Sequence, residues 1–259
     1  MASLLVSRSS APTTTSRRLG RRSSPRRSAA AASASGSSRS GPGQQQAVLE
    51  KDVSGDAAFF LDDAQLRAMT EGSRWSEAEL TGMAKAFIRS GFPASSMADS
   101  FEFMGPVVGP LSKGAFTAAF SSFRVEDAFP DLVQNCHHFR QDPFDPNRIW
   151  YTSAARATHT GKSTLAGEPT GTKVVATPQT CSLTYDSEGM VTKFTIGYPM
   201  DRSVGNTGGL GGLYGLLYAV GRGLPFPEAQ PFKPTLRYSI FQAIGRLAGA
   251  AGGSKKEDA

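Results

Sequence analysis

Five residues in the second half of the chain have the types that acid/base or binding chemistry needs: Tyr151, Arg156, His159, Tyr198 and Asp201. His159 closes a strand-like run, Arg148 to His159, that carries Ile149 and Tyr151 at the same parity. An imidazole at the mouth of an apolar cavity can act as a general base or orient a carbonyl. Asp201 ends the last strand-like run, just before a glycine-rich stretch. Apolar surroundings raise a carboxylic acid's pKa, so such a group can exchange protons near neutral pH. A plain hydrogen-bonded structural role is the alternative for both.

Other constellations fail on spacing. Cys136-His137-His138 has metal-ligand residue types. On a strand, however, neighbouring side chains point to opposite faces, so the three do not converge. The second cysteine, Cys181, stands 45 residues after Cys136, which is no zinc spacing. Two cysteines make no disulfide framework, and buried free thiols are expected. Gly161-Lys162-Ser163 has the end of a phosphate-binding loop, but the glycine needed five residues before Gly161 is Arg156. No G-x-G-x-x-G with an acidic ribose partner and no G-x-S-x-G occurs. No metal and no cofactor are expected.

The elements that must position these residues read as helices first and strands after. Asp63 to Met69 is a short helix. Ser76-Glu77-Ala78-Glu79 is a capping box opening a second one. Leu80, Met83, Ala84, Phe87 and Ile88 give it an apolar face, and it ends near Gly91 and Pro93. Residues 100–103 form a short strand with Phe101 and Phe103 on one side. Leu111 to Phe123 reads as a helix with Phe116, Phe120 and Phe123 on one face. Strands follow at 132–141, 148–159, 173–186 and 190–200, the last two joined by a turn at Ser187-Glu188-Gly189. This order predicts an α+β fold with a coiled antiparallel sheet, a half-open cone whose apolar interior suits a small molecule.

Composition bounds the rest. The chain has 259 residues with 39% apolar types and 16 Phe, enough for a sizeable core. No run approaches the ~18 apolar residues of a spanning helix. Residues 1–49 hold eight Arg, 13 Ser and no acid. That composition marks an organelle transit peptide, and its Ser/Thr richness favours a plastid over a mitochondrion. From residue 50 onward the chain has 20 basic and 22 acidic residues, so no nucleic-acid footprint is expected. Residues 205–224 mix glycine with bulky apolar types, as a helix or hairpin packed closely on the sheet would. Residues 225–259 are read as a proline-rich connector, an amphipathic helix over 235–250 and a charged tail. That helix either packs on its own domain or docks on a membrane surface or a protein partner.

Ala157-Thr158-His159-Thr160-Gly161, Pro169-Thr170-Gly171, Gly189-Met190-Val191 and the Asp after the final strand resemble the SnoaL-like polyketide cyclases of the nuclear-transport-factor-2-like superfamily. The resemblance covers residues 75–204, inside a domain placed at 57–204. It implies a cone of one curved sheet and about three helices, with the pocket inside. It further implies cofactor-free cyclisation, isomerisation or hydrolysis of an apolar small molecule, and pairing of two copies as a homodimer through the outer sheet face. Carried over by position, Asp201 is the acid/base and His159 assists it, while Phe101, Phe103, Tyr151, Phe194 and Tyr198 line the pocket. Strict alternation puts Asp201 on the face opposite Phe194, Ile196 and Tyr198. The expectation is therefore a plastid-imported small-molecule-binding or scaffold protein. A cofactor-free isomerase or cyclase and a peripheral subunit of a membrane complex are the alternatives.

Overall fold

The structure is a computed structural model and describes residues 60–253. The leader read at 1–49, the domain start at 57 and the tail 254–259 lie outside the described residues. Two capped helices open the fold. Helix α1 (Asp63–Thr70) starts from Asp62, whose carboxylate accepts the Gln65 N–H at 2.8 Å. Helix α2 (Glu77–Arg89) begins at the capping box read from the sequence. Ser76 N–H donates to Glu79 Oε2 at 2.8 Å, and Glu79 N–H donates back to Ser76 Oγ at 3.3 Å. Leu80, Ala84 and Phe87 form its buried face.

Strand β1 (Met97–Met104) follows. Leu111 and Ser112 pair with β1 as a short strand, β2 (Leu111–Ser112), instead of opening the next helix. Ser112 then caps α3 (Lys113–Ser122) by accepting the Ala115 N–H at 3.4 Å. A single turn, α4 (Val125–Ala128), comes next.

The long strands are shorter than their apolar runs. Strand β3 (His137–Gln141) starts late, because Asn135 adopts a left-handed backbone with φ 48°. The run 148–159 divides into β4 (Arg148–Ser153) and β5 (Arg156–Thr158). The run 173–186 divides into β6 (Lys173–Val175) and β7 (Gln179–Tyr185). At these breaks the ladder bonds are redirected: Ala154 N–H donates to the Gln134 carbonyl and Ala176 N–H to the Ala155 carbonyl. Pro178 has no N–H to continue the pairing. Strands β5 and β6 therefore peel away as a separate two-stranded ribbon. A turn at 187–189 leads into β8 (Val191–Pro199).

The main sheet is curved, six-stranded and ordered β2-β1-β8-β7-β4-β3. One pairing departs from the antiparallel expectation: β1 runs parallel to β8. Register assigns the two faces. Phe103, Phe194, Leu183, Ile149 and Gln141 form one row across five strands. Met104, Thr195, Ser182, Trp150 and Arg140 form the next row, on the opposite face. The apolar members of the first row, Phe103, Phe194, Leu183 and Ile149, face α2 and α3 and pack in the larger core cluster with Leu80, Phe87, Phe101 and Phe116. A second cluster joins Phe129, Ala157, Ala166 and Val174 to Leu216 and Leu217 of helix α5 (Gly212–Ala219). The last element is helix α6 (Leu236–Gly253).

Candidate functional site

The interior of the curved sheet is filled by the chain's own aromatic rings. Phe194 is buried, and its ring centroid lies 5.1 Å from Phe92, 5.7 Å from Phe103, 6.0 Å from Phe87 and 6.1 Å from Phe116. Phe103 stacks on Phe116 at 4.9 Å, and Phe101 approaches Phe116 at 5.5 Å. Edge and offset contacts at these spacings are the preferred packing of aromatic rings. Phe101, Phe103 and Phe194, read as pocket-lining residues, are in this packing.

Tyr151 lies on the same face and is buried, stacked on Phe139 at 5.3 Å with planes 13° apart. Burial pushes its phenol well above the ordinary range, and the neighbouring Cys181 and Cys136 add to the effect. Burial likewise pushes the Cys181 thiol up to about 12. The Tyr185 hydroxyl is buried with no hydrogen-bond partner, and burial raises its pKa too. At neutral pH these interior groups are therefore protonated. They can donate and accept hydrogen bonds, but none of them is a base.

Tyr198 is not on that face. Phe194 and Ile196 face inward, but between Ile196 and Tyr198 the strand takes an extra residue at Gly197, which has φ 93°. Thr180 pairs with Tyr198 while Ser182 pairs with Thr195, so Tyr198 shares the outer face with Ser182 and Trp150. Its hydroxyl donates to the Gly105 carbonyl at 3.1 Å. A bulge resets alternation, and this is why the inward reading of Tyr198 does not hold.

Asp201 lies beyond β8 in an exposed turn. Its Oδ1 accepts the Ser203 N–H at 2.9 Å and the Ser203 hydroxyl at 2.6 Å. These bonds stabilise the carboxylate and hold its pKa below the usual aspartate value. The raised pKa expected of an interior acid is thus reversed in direction, because hydrogen bonding in open solvent replaces burial.

His159 is fully buried, but in a different place. It leaves β5 toward the Thr170-Gly171-Thr172 loop, where its N–H donates to the Thr172 carbonyl and its carbonyl accepts the Gly171 N–H. Nδ1 lies 3.1 Å from the Thr170 hydroxyl, the ring packs 5.3 Å from Phe129, and Nε2 has no partner. It is the only imidazole, carboxylate or cationic side chain among the buried described residues. Asp201 and His159 share no hydrogen bond: Asp201 is held by Ser203, and the His159 ring by Thr170 through Nδ1 alone.

The histidine pair also differs from expectation. His138 has φ 56°, so strand alternation fails there and the rings of His137 and His138 meet at 4.4 Å. His137 Nδ1 is tied to the Asn135 carbonyl at 2.7 Å. Among the described residues, no group of three or more His, Cys, Asp or Glu side chains could hold a metal ion. Two of the surface clefts among the described residues hold about 690 and about 300 Å3. The larger is polar, between Arg67, Arg74, Glu77 and Gln141. The smaller lies between Arg124, Asp127 and Lys162. None of the seven residues read as site residues lines either cleft.

The glycine-rich segment contains a helix, α5, and hydrogen bonds tie the segment to the sheet. Asn206 runs beside β6: its N–H donates to the Val175 carbonyl at 3.0 Å, and its side chain accepts the Val175 N–H at 2.9 Å. Thr207 accepts the Thr177 N–H at 3.3 Å, and Gln179 Oε1 accepts the Gly212 N–H at 3.0 Å. These bonds seat α5 against the end of the sheet. The polar pair Asn206-Thr207 before the glycines was the available signal for this anchoring.

No family model matches the chain, and no curated protein matches it. Solved structures with a resembling fold include AclR from Streptomyces galilaeus, 18% identical over 70% of this chain and 99% of that one, with a TM-score of 0.41. A SnoaL-like protein from Jannaschia sp. CCS1 is 12% identical over 52% of this chain and 89% of its own, with a TM-score of 0.36. The Δ5-3-ketosteroid isomerase of a Mycobacterium sp. is 16% identical over 45% and 89%, with a TM-score of 0.32. The functional reading below rests on this chain's own geometry.

Proposed function

We propose that the chain is a plastid-imported scaffold that works by docking, not by turnover, with residues 235–250 as its contact element. The observation that carries this reading is the phenylalanine-filled interior, in which Phe194 touches four other rings where a ligand would otherwise sit. The dispersal of Asp201, His159 and Tyr198 to three separate environments supports it. The test is to incubate the full chain with a plastid extract, re-purify it and examine it by native mass spectrometry. The expected spectrum shows no stoichiometric small molecule; a discrete bound compound overturns the reading.

One observation favours a second reading, an apolar small-molecule binder. The buried Tyr185 hydroxyl lacks a partner, and an unsatisfied interior donor is a natural point for a ligand oxygen. A compound captured by the native chain and lost from Tyr185→Phe would establish it. Isomerase or cyclase chemistry through Asp201 and His159 would require both residues to matter for turnover of that compound.

Import is supported by the arginine- and serine-rich, acid-free composition of residues 1–49. A fusion of those residues to a fluorescent protein should label plastids in plant protoplasts. Mitochondrial or diffuse signal would overturn this part.

A further inference from the structure

Helix α6 lies bare against solvent. Every described side chain from Phe232 to Arg246 is exposed, with Leu236 at 77%, Phe241 at 72% and Ile244 at 60%. Leu236, Ile240 and Ile244 recur every four residues and so share one face. Gln242 lies on the opposite side, Ser239 and Arg246 flank one edge of the stripe, and Arg237 flanks the other, between Ile244 and Phe241. Gly245, Gly249, Gly252 and Gly253 weaken the helix intrinsically, so an external surface covering the apolar face must supply its stability.

Charge says what that surface is. From Gln230 to Lys256 the chain carries Lys233, Arg237, Arg246, Lys255 and Lys256 and no Asp or Glu. Residues 50–229 hold 15 basic and 20 acidic residues. An anionic surface thus repels residues 50–229 and attracts this segment, as it attracts the arginine-rich residues 1–49. A groove on a protein partner would need an acidic rim beside its apolar floor to match this segment, whereas an anionic lipid surface offers both at every point. Tyr238 adds an exposed amphipathic ring of the kind that settles at the headgroup level. No helix among the described residues is long and apolar enough to cross a membrane. The 18 residues of α6 span about 27 Å, suited to lying in the interface plane.

We propose that α6 docks the protein on an anionic lipid surface, with Leu236, Ile240, Phe241 and Ile244 in the acyl boundary and the basic residues on the headgroups. This rests on the docking reading of residues 235–250 above and names its partner.

The test is co-sedimentation of the full chain with vesicles of phosphatidylcholine containing about one-third phosphatidylglycerol, beside pure phosphatidylcholine vesicles. A chain ending at Pro234 keeps the basic leader and measures its contribution. The full chain should bind the anionic vesicles at least tenfold better than the shortened one. Arg237→Gln with Arg246→Gln should lower binding by about fivefold per residue. Ile240→Glu with Ile244→Glu should bring it to the level of the shortened chain. Equal binding by full and shortened chains overturns the lipid proposal. If those two chains bind vesicles equally but differ in retaining a plastid protein, the docking reading stands with a protein partner. If neither kind of binding depends on α6, the docking reading falls as well. Circular dichroism of each variant confirms that the body remains folded.

Discussion

Gly211 and Gly197 meet backbone to backbone: a Cβ on Gly211 would overlap the Gly197 carbonyl. The contact holds the start of α5 against the bulge in β8. The next residue, Gly212, has open space around its Cβ position but φ 55°. The two positions therefore separate sterics from backbone strain. Gly211→Ala should destabilise the domain by about 2–3 kcal/mol through overpacking. Gly212→Ala should cost about 1–2 kcal/mol, the penalty of a left-handed backbone. Thermal melts of both variants check this; equal losses would mean that the close approach is not a stability determinant.

Phe194 is the ring whose removal tests the filled interior. Phe194→Ala should cost about 3–5 kcal/mol, because four flanking rings cannot all close over the gap. The resulting apolar cavity should take up a small aromatic such as benzene, which the native chain should not bind. Denaturant unfolding gives the first quantity, and a benzene-induced rise in melting temperature gives the second. A native chain stabilised by benzene to the same degree would show that the interior is already open.

Asp201 is governed by Ser203. Its folded pKa lies below the ordinary value, so the stabilisation it brings is present above the unfolded aspartate pKa, about 3.9. That stabilisation is lost as pH falls through the lower folded value. An NMR titration should find the midpoint depressed, and Ser203→Ala should return it toward the ordinary range. Asp131 should behave likewise, since its Oδ1 accepts the Thr158 N–H at 2.7 Å. An Asp201 midpoint above the ordinary aspartate value would restore the proton-exchanging role read from the sequence.

How much of this was legible beforehand depends on whether local rules decided the outcome. The capping box at Ser76 and Glu79 involves residues three apart, so it could be read directly and forms as read. The apolar face of α2 follows from helical spacing in the same way. The inward placement of Phe194 and the outward placement of Tyr198 do not follow from alternation, because one glycine bulge lies between them. The same failure hid the approach of His137 and His138, where one left-handed residue turns the strand. Strand breaks before β5 and after β6 depend on where Ala154 and Ala176 send their N–H groups, a tertiary matter. Asp201 could be placed after the last strand, but whether that place is dry or wet depends on packing that no spacing rule reports.

The thiols test burial on the sheet's inner face. Cys136 precedes β3 and Cys181 sits in β7, with β4 between those strands. Two strand spacings put them roughly 9–10 Å apart, beyond the reach of a disulfide. Both should therefore remain free under oxidising conditions. In the native chain at pH 8, Cys181 should resist a thiol reagent, and both should react after unfolding. The raised folded value also sets a pH dependence. Stability from the Cys181 thiol is intact below the unfolded pKa, near 8.5, and declines as pH rises from there toward about 12. By pH 10 the loss from this one group should be about 2 kcal/mol. Cys181→Ala removes the ionising group, so the fall in stability between pH 7.5 and pH 10 should shrink by about that amount in denaturant melts. An unchanged fall would show that the thiolate is tolerated inside the sheet, and that the inner face is wetter than its packed rings imply.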